Sequence, residues 1–373
     1  MKILFISSWF PNKVEPTNGN FVQRHAEAAA LLNDVEILHS IGDFHQKEKF
    51  RVEENIVNGI RTLIVYYKNS KNPVQNFYRR MKSYQIGFLK MKKPDVVHAN
   101  VMHNSMLFAV YLKKKYNIPY VITEHWTAFQ ENALDSLGFT GNYIAKIIGN
   151  NASKILPVCK RLERGIRNNG VKTPMEIIPN VVDTDVFKIR NDEGKRGKFL
   201  HISSLTYMKN IPAILDVFLK LHKNGYEFEL SIGGDGDTKP IADFITENNL
   251  SKKINYFSTL SHREVADKMR DHDAFVLFSR YENQPCVISE SMSAGLFVFS
   301  SDVGGISEFF PDQFGVLIQK DDSESLYKAI ENYLQYKTEA ASTQEMHNYA
   351  ERNFGKKAIS EKFDKNYRQI LQS

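Results

Sequence analysis

Two carboxylates, Glu282 and Glu290, stand eight positions apart in YENQPCVISESMSAG. Paired acids of this kind do general acid–base work, or accept hydrogen bonds from sugar hydroxyls. The preceding AFVLFS reads as a buried strand, and Pro285 suits a first helical turn with Asn283 as its cap. Glu282 then lies in the loop and Glu290 less than two turns into the helix. Amides near Cys286, Val287 and Ile288 point out of that helix N-terminus, where a phosphate binds well. The spacing equally fits a plainer arrangement. There Glu282 complements the helix dipole, worth ~0.3–1 kcal/mol, and Glu290 is a helix-surface acid.

The neighbouring segments add to the first reading. Lys209, in HISSLTYMKN, falls at the start of a helix, where it could neutralise a diphosphate or remain a solvated terminal charge. Gly304-Gly305 in SSDVGGISEF opens a further helix N-terminus after the next strand. SIGGDGD is a glycine turn that lacks the spacing of a dinucleotide fingerprint. Asp183-Thr184-Asp185, Asp235-Gly236-Asp237 and Asp271-His272-Asp273 each form a D-x-D that could hold Mg²⁺ or Mn²⁺. Each also has a local explanation: a domain linker, a turn, and a helix end before a strand. Cys159 and Cys286 are far apart and form no metal-ligand cluster, which fits a reducing compartment.

The elements that must position these residues alternate. KILFIS, DVEILHS, DVVHAN, YVITEH and KILPV read as buried strands separated by helical patterns, and Asn58-Gly59 marks a hairpin. The polar KIRNDEGKRGK reads as a linker. A second alternating set follows from FLHISSL. Two βα halves predict an α/β protein of two Rossmann-like domains, their parallel sheets facing each other across a cleft. The N-terminal apolar run is too short for a signal peptide, and no stretch approaches a membrane span. These features predict a soluble, cytoplasmic protein.

Net charge is +6, unevenly placed. Between Tyr66 and Lys93 there are eight basic residues and no acid, interleaved with Phe77, Tyr78, Met81, Tyr84 and Phe88. Such a segment is either an amphipathic helix for an anionic membrane surface or a solvated basic helix face. No nucleic-acid-binding motif accompanies it.

The combination of motifs resembles the retaining glycosyltransferases of family 4, with the GT-B fold. Their Glu, seven residues, Glu pattern matches Glu282 and Glu290, and SAGLFVFSSDVGGISE, IIPNVVDTDVF, SSLTYMK, GNFVQRHAEAAALL, PDVVHAN and VITEHWTAF resemble further family segments. The resemblance implies a first, acceptor-side domain at 1–185, completed by a C-terminal helix at 357–373, and a donor-binding domain at 186–356. It implies that Glu290 binds the donor ribose and Glu282 lies beside the transferring sugar. Asn283, Gln284 and Pro285 would surround that sugar, with Cys286 and Val287 amides on the diphosphate. Lys209 would stabilise the departing diphosphate, Gly19 would admit the backbone close to it, and His125 would contact sugar or acceptor. This sequence departs from the family at Ser204, where an arginine is usual. It departs again at Asn283-Gln284-Pro285, where glycines are usual, and at Val181, the linker glycine.

The implied function is retaining transfer of a hexose-type sugar from a UDP- or GDP-sugar to an acceptor hydroxyl. The setting would be bacterial surface polysaccharide or glycolipid synthesis. No cofactor and no metal requirement are expected, the nucleotide sugar being a co-substrate, and transfer should survive EDTA. The expected acceptor is a glycan or lipid-linked glycan. Localisation is expected to be cytoplasmic, with 66–93 touching the inner face of the membrane. A nucleotide-sugar epimerase of the same architecture is the alternative enzyme, and a carbohydrate- or nucleotide-binding module is the third class.

Overall fold

The structure is a computed structural model that describes residues 1–130, 137–190 and 196–372. It divides into two compact units: Met1–Val181 together with the segment from Lys356, and Val182–Gly355. Part of the expected linker, 191–195, lies outside the described residues.

In the first unit the chain runs through β1 (Lys2–Ser7), α1 (Asn20–Ala30), β2 (Asp34–Asp43), β3 (Phe50–Val57) and β4 (Ile60–Lys68). It continues through α2 (Pro73–Phe88), β5 (Val96–Asn100), α3 (Leu107–Tyr116), β6 (Tyr120–Glu124), α4 (Gly138–Asn151), β7 (Lys154–Pro157) and α5 (Lys160–Asn168). The sheet order is β3-β4-β2-β1-β5-β6-β7. Only the β3–β4 pair is antiparallel, turned at Asn58 and Gly59, both at positive φ. Central strands are buried along their length, as parallel strands covered on both faces must be. Strand order reverses between β1 and β5, so their following loops diverge and open a crevice at the carboxyl ends.

The second unit comprises β8 (Lys198–Ser203), α6 (Ile211–Lys223), β9 (Glu229–Gly234), α7 (Lys239–Glu247), β10 (Ile254–Phe257) and α8 (His262–Arg270). Then come β11 (Ala274–Leu277), α9 (Cys286–Ala294), β12 (Phe297–Ser301), β13 (Gly315–Ile318), α10 (Ser323–Leu334) and α11 (Thr343–Phe354). Its all-parallel order is β10-β9-β8-β11-β12-β13, with the reversal between β8 and β11. One face packs an aromatic core of Phe199, Phe218, Phe297, Phe299 and Tyr333.

The last helix, α12 (Lys356–Gln372), belongs to the first unit. Ile359, Phe363 and Tyr367 recur at helical spacing and are wholly buried against that unit's core. Tyr367 Oη lies 2.6 Å from His98 Nδ1 on β5, so a polar contact fixes the helix as well.

Candidate active site

The switch point of the second unit gathers its chemistry. Lys209 follows β8 and Glu282 follows β11, adjacent strands whose loops meet. Lys209 Nζ lies 2.5 Å from Glu282 Oε1, with both side chains largely buried. Ser279 Oγ donates to the same carboxylate oxygen at 2.8 Å, and Ser301 Oγ donates to the Ser279 carbonyl at 2.5 Å. A cation and a hydroxyl thus hold Glu282, and the backbone that carries the hydroxyl is itself anchored to β12.

Lys209 is not on the first helix, as the sequence suggested. It ends a separate 3-10 turn, Tyr207–Lys209, and Asn210 in the left-handed region (φ 53) breaks the chain before α6 begins. Pro212 suits the first turn of α6, where its missing amide removes no helical hydrogen bond. Ser204 precedes this turn without supplying a charge.

Asn283 is not the cap of α9. Pro285 occupies the N-cap position, and no side chain caps the helix. The helix starts only at Cys286, which leaves Asn283 two residues short of the cap position, and its carbonyl accepts the Gly305 amide at 2.7 Å, 22 positions on. The first turn of α9, Cys286 and Val287 included, contains no acid to match the positive end of the dipole. That combination suits an anion.

Glu290 is no surface acid: only 3% of it is exposed. Its Oε1 sits 3.6 Å from His262 Nε2 at the start of α8, and the His262 ring packs edge-on against Phe187 at 4.8 Å. Asn283 and Gln284 are also buried, at 6% exposure each. Gly304 and Gly305 lead into a short 3-10 turn, Ile306–Phe309, rather than an α-helix.

On β8, His201 bridges the Val276 carbonyl and Ser203 Oγ, each at 2.8 Å. Burial, reinforced by the nearby Lys209 charge, lowers its pKa to about 4. It is a neutral prop under the Lys209 turn.

The three D-x-D sequences serve the fold. The Asp183 carbonyl accepts the amides of Val186 and Phe187, and Asp237 caps the turn into α7 through the Lys239 amide. Asp273 pairs with Arg190 at 2.6 Å. Among the described residues, no three His, Cys, Asp or Glu side chains form a metal-binding group.

The first unit has its own cluster at the strand ends. Gly19, at φ 75, sits where any Cβ would fall 2.4 Å from the Trp9 carbonyl, so only glycine fits. It opens α1, again without a side-chain cap. His125 follows β6 and packs its ring 4.1 Å from Phe21 and 5.1 Å from His25, both on α1. Burial holds His125 well below the ordinary histidine pKa, hence neutral.

Sequence reasoning missed Glu124. This buried acid accepts the amides of Met102 at 2.6 Å and of His125 and Trp126 at 2.8 Å, tying the β5 and β6 loops together. Burial, outweighing those donors, pushes its pKa up to about 7. The neighbouring Val101 is held at φ 67, unusual for a β-branched residue. An acid closing an apolar strand was the available signal.

Comparison with known proteins gives these features a class. Residues 182–353 match the family described as glycosyl transferases group 1, and residues 20–186 match Glycosyltransferase Family 4. An uncharacterized glycosyltransferase of Methanocaldococcus jannaschii is 24% identical over 88% of this chain and 87% of its own length. TuaC of Bacillus subtilis, a glycosyltransferase assigned to teichuronic acid biosynthesis, is 23% identical over 89% of each chain. Among solved structures, the sucrose-phosphate synthase of Thermosynechococcus elongatus superposes with TM-score 0.80 at 18% identity, covering 100% of this chain and 99% of that one. Anabaena HepE in complex with UDP gives TM-score 0.76 at 15% identity, covering 99% and 100%. The fold is that of the GT-B glycosyltransferases, and the expectation of two parallel-sheet α/β domains holds. With the two family matches spanning nearly the whole chain, the protein belongs to family 4 of the glycosyltransferases.

Proposed function

We propose that this glycosyltransferase moves a hexose from a UDP- or GDP-sugar to an acceptor hydroxyl with retention of anomeric configuration, without a metal. The observation that carries the reading is the Lys209–Glu282 pair beside the acid-free N-terminus of α9, with Glu290 buried one turn further in. A diphosphate fits the helix terminus and the lysine, and a ribose hydroxyl fits the Glu290 carboxylate.

In this mechanism Lys209 meets the charge that grows on the departing diphosphate, the largest electrostatic demand of the reaction. The acceptor attacks from the face the leaving group vacates, and a diphosphate oxygen takes its proton. The C–O bond to the diphosphate breaks as the bond to the acceptor oxygen forms. Glu282 stands beside the sugar within the Asn283-Gln284-Pro285 loop. In the first unit, Gly19 gives backbone access and His125 serves as a neutral hydrogen-bonding group for sugar or acceptor.

The acceptor is a glycan or a lipid-linked glycan in surface polysaccharide or glycolipid synthesis, a setting supported by the likeness to TuaC. The protein works in the cytoplasm and touches the inner membrane face. No helix among the described residues is long and apolar enough to cross a membrane. Instead α2 exposes Val74 and Tyr78, with Leu89 just beyond it, on a helix that also carries Arg79, Arg80 and Lys82. A groove of about 320 Å³ between α2 and α3 is lined by Tyr78, Met81, Lys82, Gln85, Phe108 and Tyr111. Lys113, Lys114 and Lys115 close α3. Cosedimentation with phosphatidylglycerol vesicles but not phosphatidylcholine vesicles tests the contact.

The donor reading is tested by thermal unfolding with a panel of UDP- and GDP-sugars, since a bound donor raises Tm. Lys209→Ala is expected to slow turnover, and transfer is expected to persist in EDTA. Unchanged turnover in Lys209→Ala, or full loss in EDTA restored by Mg²⁺, refutes the mechanism.

A further inference from the structure

We propose that Arg280 is a positioning residue for sugar transfer, fixing Lys209 in register with Glu282. The turn that carries Lys209 does not hold itself. It lies between Leu205 at φ 47 and Asn210 at φ 53, both in the left-handed region. For a residue such as leucine that conformation is strained and persists only when the surroundings enforce it.

Arg280 supplies the enforcement from two positions before Glu282. Its own amide donates to the Met208 carbonyl at 2.8 Å, and its Nη1 donates to the Tyr207 carbonyl at 2.8 Å. The guanidinium lies 4.3 Å from the Tyr207 ring centroid, and Nε reaches Asp321 Oδ1 at 3.4 Å. Asp321, after β13, also accepts from Asn210 Nδ2 at 3.4 Å. The Arg280 side chain therefore grips Tyr207 directly and Asn210 through Asp321, while the Met208 contact, made by the backbone, stays in any variant. Solvated arginines make no such set of contacts, and this side chain is only 22% exposed. A planar fork can stack, donate and pair at once, whereas a lysine ammonium cannot.

The inference rests on the reading of Lys209 as the group that meets leaving-group charge. A kinetic cycle of Arg280→Ala, Lys209→Ala and the double variant separates the two, using the sugar nucleotide most protective in the panel. Binding is followed by titration with UDP and GDP. Arg280→Ala should lower kcat roughly tenfold to hundredfold, as for a charged group displaced by about 1 Å. Affinity for UDP and GDP should fall by a smaller factor than kcat, because the α9 terminus and Glu290 still hold the nucleotide. Arg280→Lys should remain slow, amide exchange at 205–210 should quicken, and the double variant should be no slower than Lys209→Ala.

Normal turnover in Arg280→Ala beside a crippled Lys209→Ala overturns this inference alone, as do losses that multiply in the double variant. Normal turnover in Lys209→Ala overturns the underlying reading and the inference with it.

Discussion

Replacing Gly304 by alanine should disable the active site while leaving most of the fold intact. Gly304 sits at φ 64, and a Cβ built there would fall 1.8 Å from the Glu282 carbonyl oxygen, 2.5 Å from its carbon and 3.1 Å from the Asn283 oxygen. Real Cβ atoms do not approach closer than 3.0 Å, so the Glu282 peptide or Gly304 must move by about 1.2 Å. The obstacle is backbone and cannot rotate aside. A displacement near 1 Å costs on the order of 100-fold in rate, or ~2.7 kcal/mol of transition-state stabilisation. Strain from positive φ adds ~1–2 kcal/mol against the fold, partly offset by the stiffer unfolded chain. Gly59→Ala is the matched control: its φ is 80, but nothing lies within 4 Å of the new Cβ. Both variants should lose a few degrees in Tm, and only Gly304→Ala should lose kcat/KM. A Gly304→Ala enzyme with kcat/KM within about twofold of wild type would refute the geometry assigned to the Glu282 loop.

Glu290→Ala should weaken UDP or GDP binding about 10-fold to 100-fold, the value of a hydrogen bond to a charged acceptor, and titration calorimetry reads this directly. Acid should unfold the first unit before the second. Burial lowers His25 to about 3 and His39 and His103 to about 4, and holds His98 and His125 well below normal. These groups bind protons only on unfolding, so stability present above pH ~6.5 is lost toward pH 4, at ~1.4 kcal/mol per group per unit. Glu124, raised to about 7, works in the opposite sense, but it is one group against five. The second unit has His201 and the more modestly shifted His272. Both tryptophans, Trp9 and Trp126, lie in the first unit. Tryptophan fluorescence should therefore change at higher pH than the helical signal of the whole chain; coincident midpoints would count against this order. Tyr367→Phe removes the hydroxyl beside His98 Nδ1 and should cost ~1–3 kcal/mol in urea unfolding, because it strands a buried ring nitrogen.

The sheets were legible because their information is local. Buried parallel strands appear as unbroken apolar runs, and Asn58-Gly59 can turn the chain in only a few ways. The carboxylates at 282 and 290 were legible for a similar reason, since a strand, a loop and a helix follow one another without interruption. The details that failed are tertiary. Asn283 reads as a cap, but α9 starts two residues later than that needs, and Gly305, beyond the next helix and strand, takes its carbonyl. Lys209 reads as helical until the left-handed Asn210 intervenes. Arg280 carries no sequence signal, because its partners come from the β8 and β13 loops. Glu124 was masked by His125 beside it, although the glutamate organises the loop that presents the histidine.

The same distinction bears on Asn283-Gln284-Pro285, where the resemblance to the family leads one to expect glycine. Glycines let a loop adopt whatever backbone a bound sugar demands, and ordering them costs entropy at each binding event. Here the loop is shaped from outside. Gly305 holds the Asn283 carbonyl, Ser279 and Lys209 hold the Glu282 carboxylate, and Gly304 packs against the intervening peptide. A proline can then close the loop at the helix N-cap without penalty, since an N-cap residue needs no helical amide bond of its own. The loop gives up adaptability for a preformed shape, within which the side chains of Asn283 and Gln284 are both buried.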